Sequence, residues 1–317
     1  MGSLLDHIDQ SAATEQASPG LLDRHKAARD VRERFRQQLD ALEDMVNYGS
    51  RLVHETYEGS SKTPVDVVVL GVLLKQIVAM ADSVLVQLRE GIVRPAFLPT
   101  RAALEALLYL EWILVGDAKF KANCYIVANM RHESLWAGRD RPPAAEARAF
   151  GKAAAEIGME HRATSRVPES FAELDPDKTY QSLSMDPSAG PGREQERRSQ
   201  SRAQWFNLAG ASSLRRIAQQ VGRLAQYHFQ YAQGAHITHH ALYRDHVRVD
   251  GHEVHLREIR DTADAGELLQ STMEVLLGAF VSVLKHYRPG ELRTFGTTYA
   301  ARWRGQFLAS HRPPAAQ

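Results

Sequence analysis

Cysteine is nearly absent: Cys124 is the one thiol in 317 residues. An internal disulfide is therefore excluded, and so is a cysteine-based zinc site. A reducing, cytoplasmic setting is the expected home. An excess of charge of one sign is missing too. Lys and Arg total 39 against 38 Asp and Glu, a net charge of +1, so nothing draws the whole chain to nucleic acid or a membrane. The third absence is an unbroken hydrophobic run. The longest apolar stretch, residues 65–88, is interrupted by Asp66, Lys75, Gln76, Asp82 and Gln87, which suits a buried helix of a globular protein rather than a membrane span. The opening "MGSLLDHIDQSAATEQ" has neither a basic start nor a long apolar run, so no signal peptide is expected. Position six holds Asp6 where N-myristoylation prefers Ser or Thr.

What is present is ordinary in bulk and uneven in detail. With 44% hydrophobic and 24% charged residues, the chain reads as globular, long enough for one large or two medium domains. Lysine is scarce: eight lysines among the 39 basic residues leave 31 arginines. Arginine is the better fork for phosphate and carboxylate, although an arginine- and alanine-rich genome gives the same bias.

Periodicity predicts helices almost throughout. After an N-terminal stretch, 1–20, expected to be disordered, residues 21–58 carry Val31, Phe35, Leu39, Leu42, Val46, Gly49 and Val53 at threes and fours, the stripe of a surface helix. A helix this long could also lend its stripe to a second copy of the chain. Thr63 and Pro64 can cap and open the next helix, which runs to about Gly91. Thr100 is expected to cap a third, 101–116, and Asp117 to open a fourth, to about Gly138. A weaker alanine-rich helix, 144–162, and a Pro-, Gly- and Ser-rich loop, 163–200, come next. One amphipathic helix is predicted over about 212–236, with Leu214, Ile217, Ala218, Val221, Leu224, Ala225, His228, Tyr231, Ala232 and Ala235 on a continuous face. Asp250-Gly251 between alternating segments signals a small β-hairpin, about 246–257. A last helix, 261–287, precedes a tail in which Tyr299, Trp303 and Phe307 recur every fourth residue. The expected fold class is all-α: an antiparallel bundle of about five long helices with short peripheral helices and one hairpin. In domain terms, 21–138 and 201–288 pack together, 139–200 is peripheral, and 289–317 is a docked tail.

The stretch "RPAFLPTRAALEALLYLEWILVGD" is apolar on every side, yet Arg101 and Glu105 sit within it. About 40° apart on the helix, they share a face that is otherwise apolar. An exposed pair at this spacing is worth only ~0.2–0.5 kcal/mol, whereas burying each ion costs several kcal/mol. Either the two pair with each other and nearby backbone, or they line a polar cleft between helices.

Histidines are concentrated: of 14, seven lie between 228 and 255. His236 and His240, four apart, make a weak candidate metal pair. His228 falls on the apolar helix face and reads as a core histidine. No cofactor motif stands out.

Two blocks carry a resemblance. "RPAFLPTRAALEALLYLEWIL" and "WFNLAGASSLRRIAQQVG…YHFQYAQGAHITHH" resemble a mostly bacterial family, domain of unknown function 5677, with Arg101 and Glu105 at its Arg-x3-Glu positions, and Trp205, Tyr227, Tyr231 and His236 at the matching places of the second block. A serine expected before that histidine is replaced by Gln233 or Gly234. The resemblance spans about residues 65–240 and implies an all-helical fold with no established activity. The family in turn looks distantly similar to the helical higher-eukaryote-and-prokaryote nucleotide-binding class, whose members often serve as ribonuclease toxins or phage-defence parts through Arg-x4-6-His at a helix. Arg223/His228, Arg248/His255 and Arg304/His311 have that spacing, no more often than chance placement gives.

The candidate constellation is assembled across helices instead: Arg101, Glu105, Tyr231 and His236. Glu105 could tune His236, Arg101 could bind a phosphate bidentately, and Tyr231 could stack or donate. Residues 193–223 add seven Arg against two Glu, a surplus able to follow a phosphate backbone. The expected function is an RNA-acting component using this cleft. The alternative is a non-catalytic helical module that binds an anion or a protein partner.

Overall fold

A computed structural model describes residues 21–139, 204–239, 246–250 and 253–309. The chain is all-α apart from one hairpin. Helix α1 (Arg24–Arg34) and helix α2 (Arg36–Glu58) replace the single first helix expected. Phe35, at φ −118° and ψ 22°, breaks them and turns its ring into the core. The predicted stripe is otherwise as read: Val31, Leu39, Leu42 and Val46 are buried, and α2 packs against α3 (Pro64–Arg89) and α9 (Ala265–Tyr287). Because that stripe is spent inside the fold, a second copy would meet α2 on its charged side.

Thr63 caps α3 as expected. Its hydroxyl faces the Asp66 backbone N–H, and the Asp66 carboxylate accepts from the Thr63 N–H at 2.9 Å, a reciprocal box that satisfies two otherwise orphaned donors. Residues Val67–Leu74 of α3 are wound as π-helix. Gly91, at φ +69°, ends α3. The Ile92 N–H reaches back to the Gln87 carbonyl at 2.8 Å, and no side chain fits there because a Cβ would lie 2.5 Å from the Ala27 backbone. Both α3 and α9 are long and apolar enough to cross a membrane, but 50% and 61% of their most apolar windows are buried inside this fold. Leu70, Leu74, Ile77, Leu88, Met273, Leu276 and Phe280 are fully buried core residues on them.

Helix α4 (Phe97–Leu114) starts earlier than the predicted 101, after a 3-10 turn at Arg94–Ala96. Pro99 falls in its first turn, where a missing N–H costs nothing. Thr100 is therefore not a cap. Its hydroxyl is buried 3.1 Å from the Ala96 carbonyl and 3.1 Å from the Thr272 hydroxyl, tying α4 to α9. Helix α5 (Ala118–Arg139) opens with the Asp117 carboxylate accepting from the Phe120 N–H at 2.9 Å, as expected. The predicted helix 144–162, the loop 163–200, His240, His311 and the N-terminal 1–20 lie outside the described residues.

The largest departure is the helix predicted over 212–236. After α6 (Trp205–Leu208), helix α7 (Leu214–Gln220) stops at Gly222, φ +75°, with the Arg223 N–H bonded to the Ala218 carbonyl at 2.8 Å. This left-handed glycine stop redirects the chain, and α8 (residues 224–239) runs on separately with a π segment at Tyr227–Tyr231. The apolar face therefore does not continue: His228 is exposed, and Gln230 is buried in its place. Strands β1 (Val247–Asp250) and β2 (Glu253–Leu256) pair antiparallel, with Val249 opposite Val254. The terminal helix α10 (residues 292–309) docks by Trp303, which is buried among Tyr48 and Phe295 and donates its indole N–H to Asp44 at 2.6 Å.

Candidate functional site

Helix α8 lies along α4, antiparallel to it, and polar groups meet at both ends of this seam. At the N-terminal end of α4, the Arg101 guanidinium donates from Nε to Glu105 at 3.2 Å and from Nη2 to the Tyr231 hydroxyl at 2.6 Å. Its carbon also lies 4.1 Å from the centre of the Tyr231 ring, a cation–π contact. Tyr227 stacks on Tyr231, with centroids 4.8 Å apart and planes 19° apart. Helical spacing puts Tyr227, Gln230, Tyr231 and Gly234 on one face of α8, and Gly234 is buried directly against Arg101.

The Arg101 and Glu105 side chains keep 19% and 32% of their surface exposed, so the pair is partly open and partly held. Tyr109, one turn beyond Glu105, has its phenol pKa pushed well up, first by burial and then by the neighbouring Glu105 and Tyr231. Tyr227 is raised as well, chiefly by burial and by Tyr231, while Arg101 and Arg215 oppose the shift. Both shifts favour the protonated phenol. Three of the four expected site residues, Arg101, Glu105 and Tyr231, thus converge. The backbone of His236 lies in α8, five residues past Tyr231, and its side chain is outside the described residues. The His236/His240 metal pair is likewise outside them, and among the described residues no group of His, Cys, Asp or Glu could hold a metal.

The other end of the seam holds what sequence reasoning missed. Glu111, a third charge in the apolar helix, receives Arg223 bidentately: Nε to Oε2 at 2.5 Å and Nη2 to Oε1 at 2.6 Å. The Ser282 hydroxyl adds a third bond to Oε1 at 2.6 Å. Their side chains are only 12% and 21% exposed. The Gly222 stop aims Arg223 here, and Gly278 of α9 makes room for its guanidinium, since a Cβ there would lie 2.6 Å from Nη2. Arg223 is therefore committed to Glu111, in the turn before α8, rather than paired with the exposed His228 on a helix. Between the two ends, Gln230 donates to Glu274 at 2.8 Å, and Gln233 donates to Glu267.

Trp205, the first landmark of the second block, closes over α4 and α5 in an aromatic cluster with Tyr109, Trp112 and Tyr125. Its buried indole N–H has no partner among the described residues. Trp112 donates to Gln220 at 2.6 Å and carries Lys121 over its ring at 4.3 Å. Burial pushes the thiol of Cys124 up to about 11, leaving it a packing residue.

No curated protein and no solved structure matches the chain. A family profile does, over residues 67–253, which include both quoted blocks and both ends of the α4–α8 seam. The chain belongs to the family of unknown function DUF5677.

Proposed function

We propose that the protein is an intracellular RNA-acting component that engages a phosphate of the RNA backbone where Arg101, Glu105 and Tyr231 meet, working first as a recognition module. The observation that carries this reading is the state of Arg101. Its guanidinium is oriented by a carboxylate and a phenol, stacked on a ring, and left partly open. An arginine so pre-set loses little entropy on accepting an oxyanion. The largely exposed Phe229, on the side of α8 turned away from the Tyr227–Tyr231 stack, offers an aromatic face to an unpaired base.

The catalytic version of this reading adds His236 as the proton carrier, with Glu105 tuning it. It is favoured by the partly open Glu105 carboxylate and by what the resemblance implies about toxin or defence proteins. The competing reading, a module for a small anion or a protein partner, draws on the fact that two of Arg101's donor positions are already used within the chain.

Fluorescence anisotropy with a labelled single-stranded RNA, across a salt series, tests the binding claim. Wild type should bind, and Arg101→Ala should bind more weakly with a log–log salt slope reduced by about one. Equal binding by both proteins, or none by wild type at low salt, defeats it. Incubation of total RNA with wild type and His236→Ala separates catalysis from recognition, because only a nuclease loses cleavage with the histidine.

A further inference from the structure

At the Glu111–Arg223 end of the seam, α4, α8 and α9 leave a cleft of about 750 Å³ that the reading above does not use. Its volume lies within the range of small-molecule sites. Leu114, Val115, Val221 and Ala225 form an apolar wall, and Val115 is 56% exposed there, with its side chain uncovered. The rest of the lining is largely polar and includes Gln226, Glu274, Lys285 and His286.

Three of these groups ask for the same partner. The Gln226 amide is fixed in orientation, because its Oε1 accepts from Arg223 Nη1 at 2.6 Å, and an arginine cannot face an amide NH2. Gln226 Nε2 must then point the other way, where it is buried and has no partner among the described residues. It is a donor in want of an oxygen. Lys285 and His286 are exposed on the rim, and neither has an ion pair among the described residues. They too favour an oxyanion. Arg223 adds no free charge, since Glu111 neutralises it, and Glu274 keeps one carboxylate oxygen beyond the bond from Gln230.

We propose that this cleft is a binding site for a small amphipathic anion, a molecule with an apolar body and a carboxylate or phosphate head. The body lies along Leu114, Val115, Val221 and Ala225. The head pairs with Lys285 and His286 at the rim, and it reaches Gln226 Nε2 once that buried amide turns toward the cleft. Because Glu111 and Arg223 form the floor of the cleft, an occupant bridges α4, α8 and α9 and stabilises the docking of α8.

Isothermal titration of the full chain with octanoate and octyl phosphate, with octanol as the uncharged control, tests this. Both anions should bind, octanol at least about tenfold more weakly, and the preference between the two anions identifies the head group. Lys285→Ala combined with His286→Ala alters only exposed side chains and should weaken anion binding by about ten- to a hundredfold, the loss expected for charge-assisted hydrogen bonds. Ala225→Trp, which fills the cleft from an exposed position, should abolish binding by all probes while thermal melting confirms that the fold is kept. Saturation with octyl phosphate should raise the melting temperature of wild type and leave that of Ala225→Trp unmoved. The proposal is overturned if neither anion binds at millimolar concentration, if octanol binds as well as the anions, or if either variant binds like wild type.

Discussion

Gly234 lies flat against Arg101. A Cβ on the glycine would stand 2.7 Å from Arg101 Cβ, 2.8 Å from its Cδ and 3.1 Å from the Phe97 carbonyl oxygen. The two helices approach this closely only because one contributes no side chain, and that approach brings Tyr231 within reach of the guanidinium. This glycine, which with Gln233 is one of the two residues that could stand where a serine was expected, is thus a packing requirement. It leaves no place for a hydroxyl.

Gly234→Ala should consequently loosen α8. Overpacking of this kind costs about 1–3 kcal/mol, partly offset by the roughly 1 kcal/mol that alanine gains over glycine in a helix interior. A net loss of up to about 2 kcal/mol is expected, a fall of up to a few degrees in melting temperature for a chain of this size. Quenching of Trp112 and Trp205 near the seam should rise in parallel. A variant as stable as wild type would mean that α8 docks less tightly than this contact requires.

The Glu111–Arg223 pair gives a second prediction. Glu111→Ala strands a largely buried guanidinium and removes the partner of Ser282, so a loss of about 3 kcal/mol is expected. Replacing both residues, Glu111→Leu with Arg223→Leu, removes the uncompensated charge and should be milder than either single change. A denaturant double-mutant cycle reads this directly. Additive losses would show that the two side chains do not cooperate in solution.

The ease of reading the sequence followed the range of each interaction. Val31, Leu39, Leu42 and Val46 were recognisable because helical periodicity is local, and Arg101 with Glu105 because four residues separate them. Glu111 was passed over because its partner is 112 positions away and nothing nearby hints at it. The break at Gly222 had a local signal, a glycine following a helix-period segment, but the apolar residues on both sides concealed it. That one left-handed residue rotated the following face, moving His228 to the surface and Gln230 inward. Periodicity placed Tyr231 on the apolar helix face, but only the family resemblance marked it as a site residue. The hairpin, by contrast, followed from its turn dipeptide, and its register places Val249 opposite Val254.

Alkaline pH should destabilise the fold in a defined window. Burial holds the Cys124 thiol at about 11 in the folded chain, against an ordinary 9.0. Below pH 9 both states keep the proton and the contribution is fully present. Between about 9 and 11 the unfolded chain ionises first, so stability falls as pH rises. Tyr109, Tyr125 and Tyr287, raised mainly by burial, extend the loss upward. Urea unfolding at successive pH values should show this decline, and Cys124→Ala should be flatter between pH 9 and 10 than wild type. Identical slopes would mean that the thiol reaches solvent.

Arg101 and Tyr231 separate a structural role from a recognition role. Arg101→Lys keeps the charge but loses the planar fork, so a lysine cannot bond Glu105 and Tyr231 and lie over the ring at once. Tyr231→Phe keeps the ring and removes the hydroxyl that accepts from Nη2. If the cluster only fastens α8 to α4, both changes should lower stability by about 1 kcal/mol, the usual worth of a hydrogen bond, and RNA binding by the folded fraction should not change. If the guanidinium meets phosphate, the variants should diverge. Tyr231→Phe frees a donor and should bind RNA as well as wild type or better, whereas Arg101→Lys loses bidentate contact and should bind more weakly by about 1–2 kcal/mol, roughly five- to thirtyfold. Anisotropy measured on material shown to be folded by circular dichroism distinguishes the two outcomes. Unchanged RNA binding by both folded variants would assign the cluster to helix docking alone.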